Sequence, residues 1–222
     1  IFNEYNKTSA PLADPTLNFI GWNSSYTNQP FPQEEMMDWL NATIDRVLGL
    51  RPSSILEIGC GTGLLLFKLA PEVKEYCGTD FSSVSLQYIR DVMSRNKEGF
   101  SHVTLLERLA HDFSGLEGKS FDCIVINSVV QYFPDIDYLL KVLEGVFRHL
   151  KPGGSVFIGD IRNLELLEAF QAAVQLYKSA PSLPVRHLKE EVRRMASQEE
   201  ELLIDPGLFL ALKERFPKIT NI

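Results

Sequence analysis

Residues 55–63 of this chain read Ile55-Leu-Glu-Ile-Gly-Cys-Gly-Thr-Gly63. An apolar run leads into three glycines at alternate positions, and an apolar segment with helical spacing follows them. Glycine lets the backbone adopt left-handed conformations and lets a ligand approach the main chain closely. The stretch therefore predicts a strand, a tight turn and a helix that together bind a nucleoside. A nicotinamide fingerprint would place its last glycine at position 64, where this chain has Leu64, so a dinucleotide site is disfavoured.

Strands and helices alternate on both sides of this stretch. Apolar runs predict strands at 54–58, 76–79, 103–106, 123–126 and 155–159, and helical spacing predicts helices at 63–70, 82–95 and 136–150. Lys151-Pro-Gly-Gly154 marks the end of the last of these helices. The alternation predicts an α/β fold, a Rossmann-like, doubly wound and mostly parallel sheet with right-handed crossovers.

The chain divides into three predicted parts. Residues 1–50 form an N-terminal arm and lid helix, residues 51–161 form the Rossmann-like cofactor-binding core, and residues 162–222 form a helical lid and the start of a sixth strand. The lid contains predicted helices at 164–177 and 185–201. We expect the strand hairpin that usually closes this fold to be missing, because residues 218–222 barely begin a sixth strand.

The composition disfavours several kinds of protein. With 22 Lys and Arg against 29 Asp and Glu, the net charge is −7, which argues against a nucleic-acid partner because such binding rests on clustered cations. No apolar run approaches the roughly 18 residues of a membrane span. Cys60, Cys77 and Cys123 show no C-x-x-C spacing, so we expect buried reduced thiols in a cytoplasmic protein. Acidic residues form no cluster at ligand spacing, and we expect no bound metal.

Two carboxylates follow strands at the edge where open α/β sheets bind their ligands. Asp80 comes about 20 residues after the glycine turn, where a carboxylate can accept both ribose hydroxyls of a nucleoside. Asp112, in Ala110-His-Asp-Phe113, follows the third strand, and its expected partner is the adenine amino group.

Three motifs resemble those of class I S-adenosylmethionine-dependent methyltransferases: Glu57-Ile-Gly-Cys-Gly-Thr-Gly63, Gly78-Thr-Asp-Phe-Ser82 and Leu150-Lys-Pro-Gly-Gly154. A closer resemblance covers almost the whole chain and is to the methyltransferase domains embedded in polyketide synthases and nonribosomal peptide synthetases. It rests also on Gly21-Trp-Asn-Ser-Ser-Tyr-Thr27, Asn127-Ser-Val-Val-Gln-Tyr-Phe133 and Glu199-Glu-Glu-Leu-Leu-Ile-Asp205. The resemblance implies S-adenosylmethionine as the cofactor.

The resemblance also implies roles for individual residues. The implied cofactor-binding residues are Glu57, Gly59, Gly61, Gly63, Asp80, Phe81, His111, Asp112 and Asn127. The glycines line the methionine end, with Glu57 near its amino group, and Asn127 lies beside the sulfonium. Asp80 holds the ribose and Asp112 the adenine. We add Tyr26 as a hypothesis, because an aromatic side chain of the arm that closed over the pocket would attract the sulfonium cation.

The candidate catalytic residues are Gln131, Tyr132 and Asp160, which follow the fourth and fifth strands at the ligand-binding edge. The favoured function is methyl transfer to a hydroxyl oxygen of an intermediate tethered to an acyl or peptidyl carrier protein, beside neighbouring synthase domains. Oxygen is preferred because the chain reads as a separable domain, whereas nitrogen-directed relatives are usually inserted into an adenylation domain. The alternatives are N-methylation of a carrier-bound aminoacyl group, a small-molecule methyltransferase and a catalytically silent cofactor-binding domain.

Overall fold

The computed structural model describes residues 14–95 and 97–222. The strands of this part form one sheet in the order β3-β2-β1-β4-β5, and every neighbouring pair is parallel. They are β1 (Ser54–Ile58), β2 (Glu75–Asp80), β3 (Val103–Glu107), β4 (Phe121–Asn127) and β5 (Leu150–Gly159). The chain reverses its direction of travel across the sheet between β1 and β4, and ligands of open α/β sheets bind outside such a reversal. The predicted fold class is confirmed.

Helices cover both faces of the sheet and extend beyond it. They are α1 (Gln33–Gly49), α2 (Leu66–Leu69), α3 (Ser83–Ser94), α4 (Ile136–His149), α5 (Leu167–Lys178), α6 (Val185–Ser197) and α7 (Gly207–Arg215). Short 3₁₀ turns lie at Ala70–Glu72, Lys97–Phe100, Val130–Tyr132 and Leu164–Leu166. The predicted arm lies partly outside the described residues, since the description begins at residue 14, and its later part folds back through a bridge between Asn23 and Pro30.

The side chains of β1 alternate between two apolar cores. Ile55 packs in one core with Leu40 of α1 and Ile89 of α3, whereas Leu56 packs in the other with Leu143 of α4. All of these side chains are at most 1% exposed. Burying a side chain of this size contributes about 2 kcal/mol, so the two cores fix the strand ends that carry the site.

Helix α4 shows how the sequence sets one of these cores. It begins after Asp135, whose carboxylate accepts a hydrogen bond of 2.8 Å from the backbone N–H of Tyr138, as an N-cap residue does. Leu139, Leu143 and Val146 recur at helical spacing and are buried against the sheet. The helix ends at His149, two residues before the predicted stop signal begins at Lys151.

The helix after the glycine turn is shorter than the sequence predicts. The sequence predicts a helix over residues 63–70. The α-helix is Leu66–Leu69, and a 3₁₀ turn follows it at Ala70–Glu72. Gly63 has φ of +89°, which a right-handed helix cannot contain, and Pro71 has no N–H to continue the helix.

Three other predicted boundaries are wrong. Strand β5 begins at Leu150 instead of position 155, because its register with β4 shifts from Phe121↔Leu150 to Cys123↔Ser155 and the intervening residues form a bulge. The predicted helix 185–201 ends at Ser197, and the glutamates beyond it turn towards Arg162. Residues 218–222 form no strand; the backbone N–H of Ile219 instead donates to the Phe216 carbonyl in a turn.

The structure also describes the cysteines, the apolar character of the helices and the groups that could bind a metal ion. Cys60, Cys77 and Cys123 are free and buried, as predicted, and burial raises the pKa of each thiol. Over residues 14–95 and 97–222, no helix has the length and apolar character needed to cross a membrane. The same residues contain no group of three or more His, Cys, Asp and Glu side chains placed to hold a metal ion.

Candidate active site

The glycine turn is tied to the neighbouring strand by its own backbone. The N–H groups of Gly59 and Cys60 both donate to the carbonyl of Thr79 in β2, at 2.8 and 2.9 Å. Gly59, Gly61 and Gly63 have φ of +79°, +51° and +89°, in the left-handed region that favours glycine. The turn is therefore a fixed feature at the end of β1.

The three glycines have different surroundings. A Cβ on Gly59 would lie 2.3 Å from Val129 Cγ2, and a Cβ on Gly63 would lie 2.9 Å from the ring of Phe67. A Cβ on Gly61 would meet no described protein atom within 4 Å. Gly59 and Gly63 are thus needed for packing, whereas Gly61 leaves open space in front of the turn.

Asp80 closes this turn from the end of β2. One carboxylate oxygen accepts the N–H of Gly61 and the other accepts the N–H of Ser82, both at 2.8 Å. The side chain is buried, which raises its pKa, while the two backbone hydrogen bonds oppose that rise. Each oxygen retains a lone pair for a further donor, so the carboxylate can still accept hydroxyl groups of a ligand.

Glu57 lies beneath the turn and is buried. Its Oε2 accepts a hydrogen bond of 2.6 Å from the hydroxyl of Tyr76. Burial raises the pKa of Glu57 to about 7, against the lowering effect of this hydrogen bond. The carboxyl group therefore titrates near neutral pH.

A second polar cluster lies at the ends of β4 and β5. The indole N–H of Trp39 donates to both oxygens of Asp160, at 3.0 and 3.2 Å, and the hydroxyl of Ser128 donates to the same carboxylate. The amide of Asn127 lies 3.0 Å from the Ser128 hydroxyl and 3.4 Å from Asp160. Ser128 and Asp160 have φ of +57° and +55°, and backbone strain of this kind is typical of functional sites.

This cluster forms one wall of a cavity of about 390 Å³. The cavity is lined by Trp22, Phe31, Glu35, Met36, Trp39, Ser128, Gln131, Asp160 and Arg162. Trp22 stacks at a tilt on Trp39, with ring centroids 4.7 Å apart. Gln131 Oε1 is buried and accepts no hydrogen bond from any described residue. The cavity thus has an aromatic wall from the arm and α1, and a polar wall from the sheet edge.

Comparison with known proteins agrees with this geometry. A family model described as a methyltransferase domain matches residues 56–156. Chondramide synthase cmdD of Chondromyces crocatus is 48% identical, over 98% of this chain and 6% of that protein. CymA of Salinispora arenicola, a probable nonribosomal peptide synthetase, is 41% identical, over 94% of this chain and 3% of that protein. The chain spans a small part of the length of these relatives.

A solved methyltransferase structure is also similar to this chain. An S-adenosylmethionine-dependent methyltransferase from Clostridium acetobutylicum is similar with a TM-score of 0.52 and 25% identity, over 61% of this chain and 54% of that one. This chain belongs to the class I S-adenosylmethionine-dependent methyltransferases. It is a methyltransferase domain of the nonribosomal peptide synthetase type, and the predicted family and cofactor are confirmed.

The residues of the methyltransferase domain fit S-adenosylmethionine. The open space at Gly61 admits a ligand against the backbone, and Asp80 offers acceptors for a ribose diol beside it. These two residues and the rest of the glycine turn would hold the cofactor, which supplies a methyl group on a positively charged sulfur.

Other predicted cofactor-binding residues of the methyltransferase lie at the same sheet edge. The backbone N–H of Arg108 donates to the carbonyl of Asp80, which places the turn after β3 beside β2. Asp112 accepts the N–H of Ser114 and is ion-paired with Arg108 at 3.6 Å. His111 hydrogen-bonds the hydroxyl of Tyr138 at 2.9 Å. The Phe81 side chain, beside Asp80, is exposed. An adenine contact of Asp112 and a cofactor contact of His111 and Phe81 stay predictions.

Some of the remaining predicted residues lie at the cavity, and others do not line it. Asn127, Gln131 and Asp160 are brought together, whereas Tyr132 is exposed and does not line the cavity. Tyr26 also lies outside the cavity lining and packs edge-on against Tyr177 of α5, at 5.5 Å.

Sequence reasoning missed the partners of Asp160. Trp39 is 121 residues away from Asp160 in the chain, a separation across which no local sequence pattern predicts a contact. Ser128 stood inside the quoted motif, but no spacing signal distinguished its hydroxyl. Arg162 lines the same cavity and is held by Glu199, at 2.8 Å, and by Glu201.

Proposed function

We propose that this domain methylates the amine nitrogen of an aminoacyl group tethered to a carrier protein within a nonribosomal peptide synthetase. The observation that carries the proposal is the Asp160 carboxylate in the wall of an aromatic cavity. The relative CymA is named a probable nonribosomal peptide synthetase, and the building blocks of peptides carry an amine. The carrier protein and the neighbouring synthase domains belong to the same proposal.

The cavity has the size and polarity that an aminoacyl group requires. Its volume of about 390 Å³ lies in the range of small-ligand sites. Trp22, Phe31 and Met36 offer an apolar surface to the amino-acid side chain. Ser128 and Asp160 offer polar atoms to the amine on the opposite wall.

Asp160 is suited to bind an ammonium group and to receive its proton. Its negative charge attracts the cation, and the faces of neighbouring tryptophans add cation–π attraction. The donors on Trp39 and Ser128 fix the carboxylate in place. Once the proton has moved to Asp160, the nitrogen lone pair is free to form the new bond to carbon. Holding the amine in line with the transferable methyl group then accounts for much of the rate.

A hydroxyl acceptor, which the sequence favoured, is the alternative. A hydroxyl holds its proton far more tightly than an ammonium group, so oxygen attack needs a stronger base near the acceptor. The titratable side chains that line the cavity are Glu35, Asp160 and Arg162. None of these has the character of such a base. The separable appearance of the domain had favoured oxygen, but the chain matches 6% and 3% of two longer proteins, which supports an embedded domain.

Mass spectrometry of loaded carrier proteins tests this proposal. The domain is incubated with S-adenosylmethionine and a carrier bearing either an aminoacyl group or its matched hydroxyacyl analogue, with the free amino acid as a third acceptor. We expect one methyl group on the aminoacyl carrier and a rate at least about tenfold lower on the other two. The Asp137→Asn variant, which changes an exposed carboxylate on α4, serves as the control for Asp160→Asn.

Each other outcome selects a different function. Methylation confined to the hydroxyacyl carrier would identify oxygen, and not nitrogen, as the methylated atom. Equal rates on the free and the tethered amino acid would show that the domain does not recognise the carrier protein. Cofactor binding without any methylation would indicate a silent cofactor-binding domain.

A further inference from the structure

The charge of Arg162, in the wall of the cavity proposed for the acceptor, is already compensated. Arg162 lines this cavity together with Asp160, which lies two residues before it in the chain. Its guanidinium forms ion pairs with Glu199, at 2.8 Å, and with Glu201. These three side chains together carry a net negative formal charge, although a cation lies at their centre.

Backbone hydrogen bonds fix the two glutamates beside the cavity wall. They belong to the stretch 199–205, a motif to which the proposed methyl transfer assigns no role. The N–H of Leu202 donates to the carbonyl of Gln131, which also lines the cavity, and the N–H of Ile204 donates to the carbonyl of Arg162. Both distances are 2.8 Å. Main-chain contacts as well as ion pairs therefore hold the glutamates close to Arg162.

The charged side chains of this wall are mostly acidic. Glu35 of α1 and Asp160 line the cavity with Arg162, and the two glutamates are paired with that guanidinium. The guanidinium carbon of Arg162 lies 5.5 Å from the centroid of the Phe170 ring, which brings no charge. Among the described residues in and next to the wall, four carboxylates thus accompany one guanidinium. The field of these charges attracts a cation and repels an anion.

A tethered aminoacyl group and a free amino acid differ in charge at this wall. Both carry an ammonium group, but the tethered group has a neutral thioester carbonyl where the free amino acid has a carboxylate. An uncompensated guanidinium would bind that carboxylate strongly. A guanidinium has five N–H donors, so Arg162 can still donate to a neutral carbonyl oxygen while it is paired with two glutamates.

We propose that Glu199 and Glu201 are specificity-determining residues. By compensating Arg162, they make the cavity select an amine whose carbonyl is neutral and reject the free amino acid. The domain would then distinguish its tethered acceptor from free amino acids by charge, before any contact with the carrier protein. The inference rests on the proposed function, because it concerns the same acceptor.

Binding of matched small acceptors to the whole chain tests the inference. Alanine, leucine and phenylalanine are each supplied as the free amino acid and as the amide, whose carbonyl is neutral and which needs no carrier. Their dissociation constants are measured at pH 7 by NMR titration with S-adenosylhomocysteine present. The selectivity is the ratio of the two constants for one amino acid. Its change between variants is independent of the different basicities of the two amines.

Conservative variants change the charge and keep a hydrogen-bond acceptor. Glu199→Gln and Glu201→Gln, alone and combined, each replace a carboxylate oxygen by an amide oxygen. The matched control is the double variant Glu75→Gln with Glu144→Gln. Both of its carboxylates form ion pairs of the same kind, at 3.0 and 2.8 Å, and neither lines the cavity.

The expected results separate charge from packing. The wild type should bind an amide at least about tenfold more tightly than the free amino acid. The double variant of Glu199 and Glu201 should lose this preference, mainly by binding the free amino acid more tightly, because the charge of Arg162 becomes available to the carboxylate. Each single variant should lose about threefold. The control should keep the selectivity of the wild type.

Three results would overturn the inference. The first is an unchanged selectivity in the double variant of Glu199 and Glu201. The second is an equal weakening of amide and free amino acid in that variant, which would reduce the glutamates to a packing role. The third is a wild type that binds none of the three amides.

A measurement on the wild type alone covers the case in which the variants do not fold. Salt screens the repulsion between the wall and a carboxylate, so raising sodium chloride from about 0.05 M to about 0.5 M should lower the selectivity at least about threefold. A selectivity that salt does not change would also contradict the inference. No methyl group is transferred in these assays. A wild type that shows the selectivity and methylates no aminoacyl carrier would therefore contradict the proposed function alone.

Discussion

At the cofactor end of the site, Asp80 is buried and its two oxygens accept backbone N–H groups. At the acceptor end, Asp160 is exposed and its partners are the side chains of Trp39, Ser128 and Asn127. Backbone groups hold their positions as long as the fold stands, whereas side-chain partners can be changed one at a time. We therefore expect substitutions at the cofactor end to affect binding or stability, and substitutions at the acceptor end to affect methyl transfer.

The largest effect is expected for Asp80→Asn. We expect the variant to lose the charge-assisted hydrogen bonds that Asp80 is proposed to make with the ribose, each of which would contribute about 1.5 to 3 kcal/mol. The affinity for S-adenosylmethionine should fall by at least about a hundredfold in calorimetry. Asp91→Asn, on the exposed face of α3, should leave the affinity unchanged. An affinity of Asp80→Asn close to that of the control would show that the cofactor end depends on other groups.

Two glycine substitutions sharpen the distinction between packing and binding. Gly59→Ala places a methyl group 2.3 Å from Val129 Cγ2 at a positive φ, and should lower the free energy of unfolding by about 3 kcal/mol. Gly61→Ala meets no described atom and should cost about 1 kcal/mol for its backbone conformation. Its affinity for the cofactor should nevertheless fall sharply, because the methyl group fills the ligand space. Urea unfolding measures the change in stability of each variant, and calorimetry measures its affinity for the cofactor. An unchanged cofactor affinity in Gly61→Ala would show that this glycine does not lie in the cofactor site.

The buried acid of the cofactor end should make stability depend on pH. The pKa of Glu57 is raised from 4.5 to about 7, so the folded state binds more protons than the unfolded state between these values. Its contribution therefore lowers the free energy of unfolding as the pH rises from 5 to 8, by about 2 kcal/mol. Glu57→Gln should lack this decrease in urea titrations, whereas Glu75→Gln should retain it. Parallel curves for Glu57→Gln and wild type would show that Glu57 is ionised throughout.

The smallest effect is expected at the acceptor end, in a comparison of two tryptophans. Both line the cavity, but it is Trp39 whose indole N–H donates to Asp160. Trp39→Phe should therefore slow methyl transfer about tenfold, since a hydrogen bond to a charged group contributes about 1.5 kcal/mol at the low end of its range. Trp22→Phe should slow it less, and both should bind the cofactor normally. A larger effect of Trp22→Phe would indicate that aromatic surface matters more than the donor to Asp160.

The cofactor end could largely be predicted because its contacts are local or repeated along the sheet. The glycine turn and Asp80 are separated by one strand–helix–strand unit, so their spacing placed the carboxylate against the Gly61 N–H. The direction of Asp112 could not be predicted, because a hydrogen bond from Ser114 and an ion pair with Arg108 decide where it points.

The acceptor end could be predicted only in part. The sheet pattern brought Asn127 and Asp160 to one edge, but it carried no information on the helix that covers them. Trp39 reaches Asp160 through the packing of α1, which no local spacing encodes. Tyr26 packs edge-on against Tyr177 of α5, so its closure over the cofactor pocket stays a prediction.

The most direct test of the division between a cofactor end and an acceptor end is a pair of measurements on Asp160→Asn. The dissociation constant of S-adenosylmethionine and the rate of methyl transfer to an aminoacyl carrier are compared with those of the wild type and of Asp137→Asn. We predict an affinity within about twofold of the wild type and a transfer rate lower by at least about tenfold, because we propose that Asp160 acts on the acceptor as a general base. A loss of cofactor affinity as large as the loss of rate would contradict the division of the site, and an unchanged rate would exclude Asp160 as the proton acceptor.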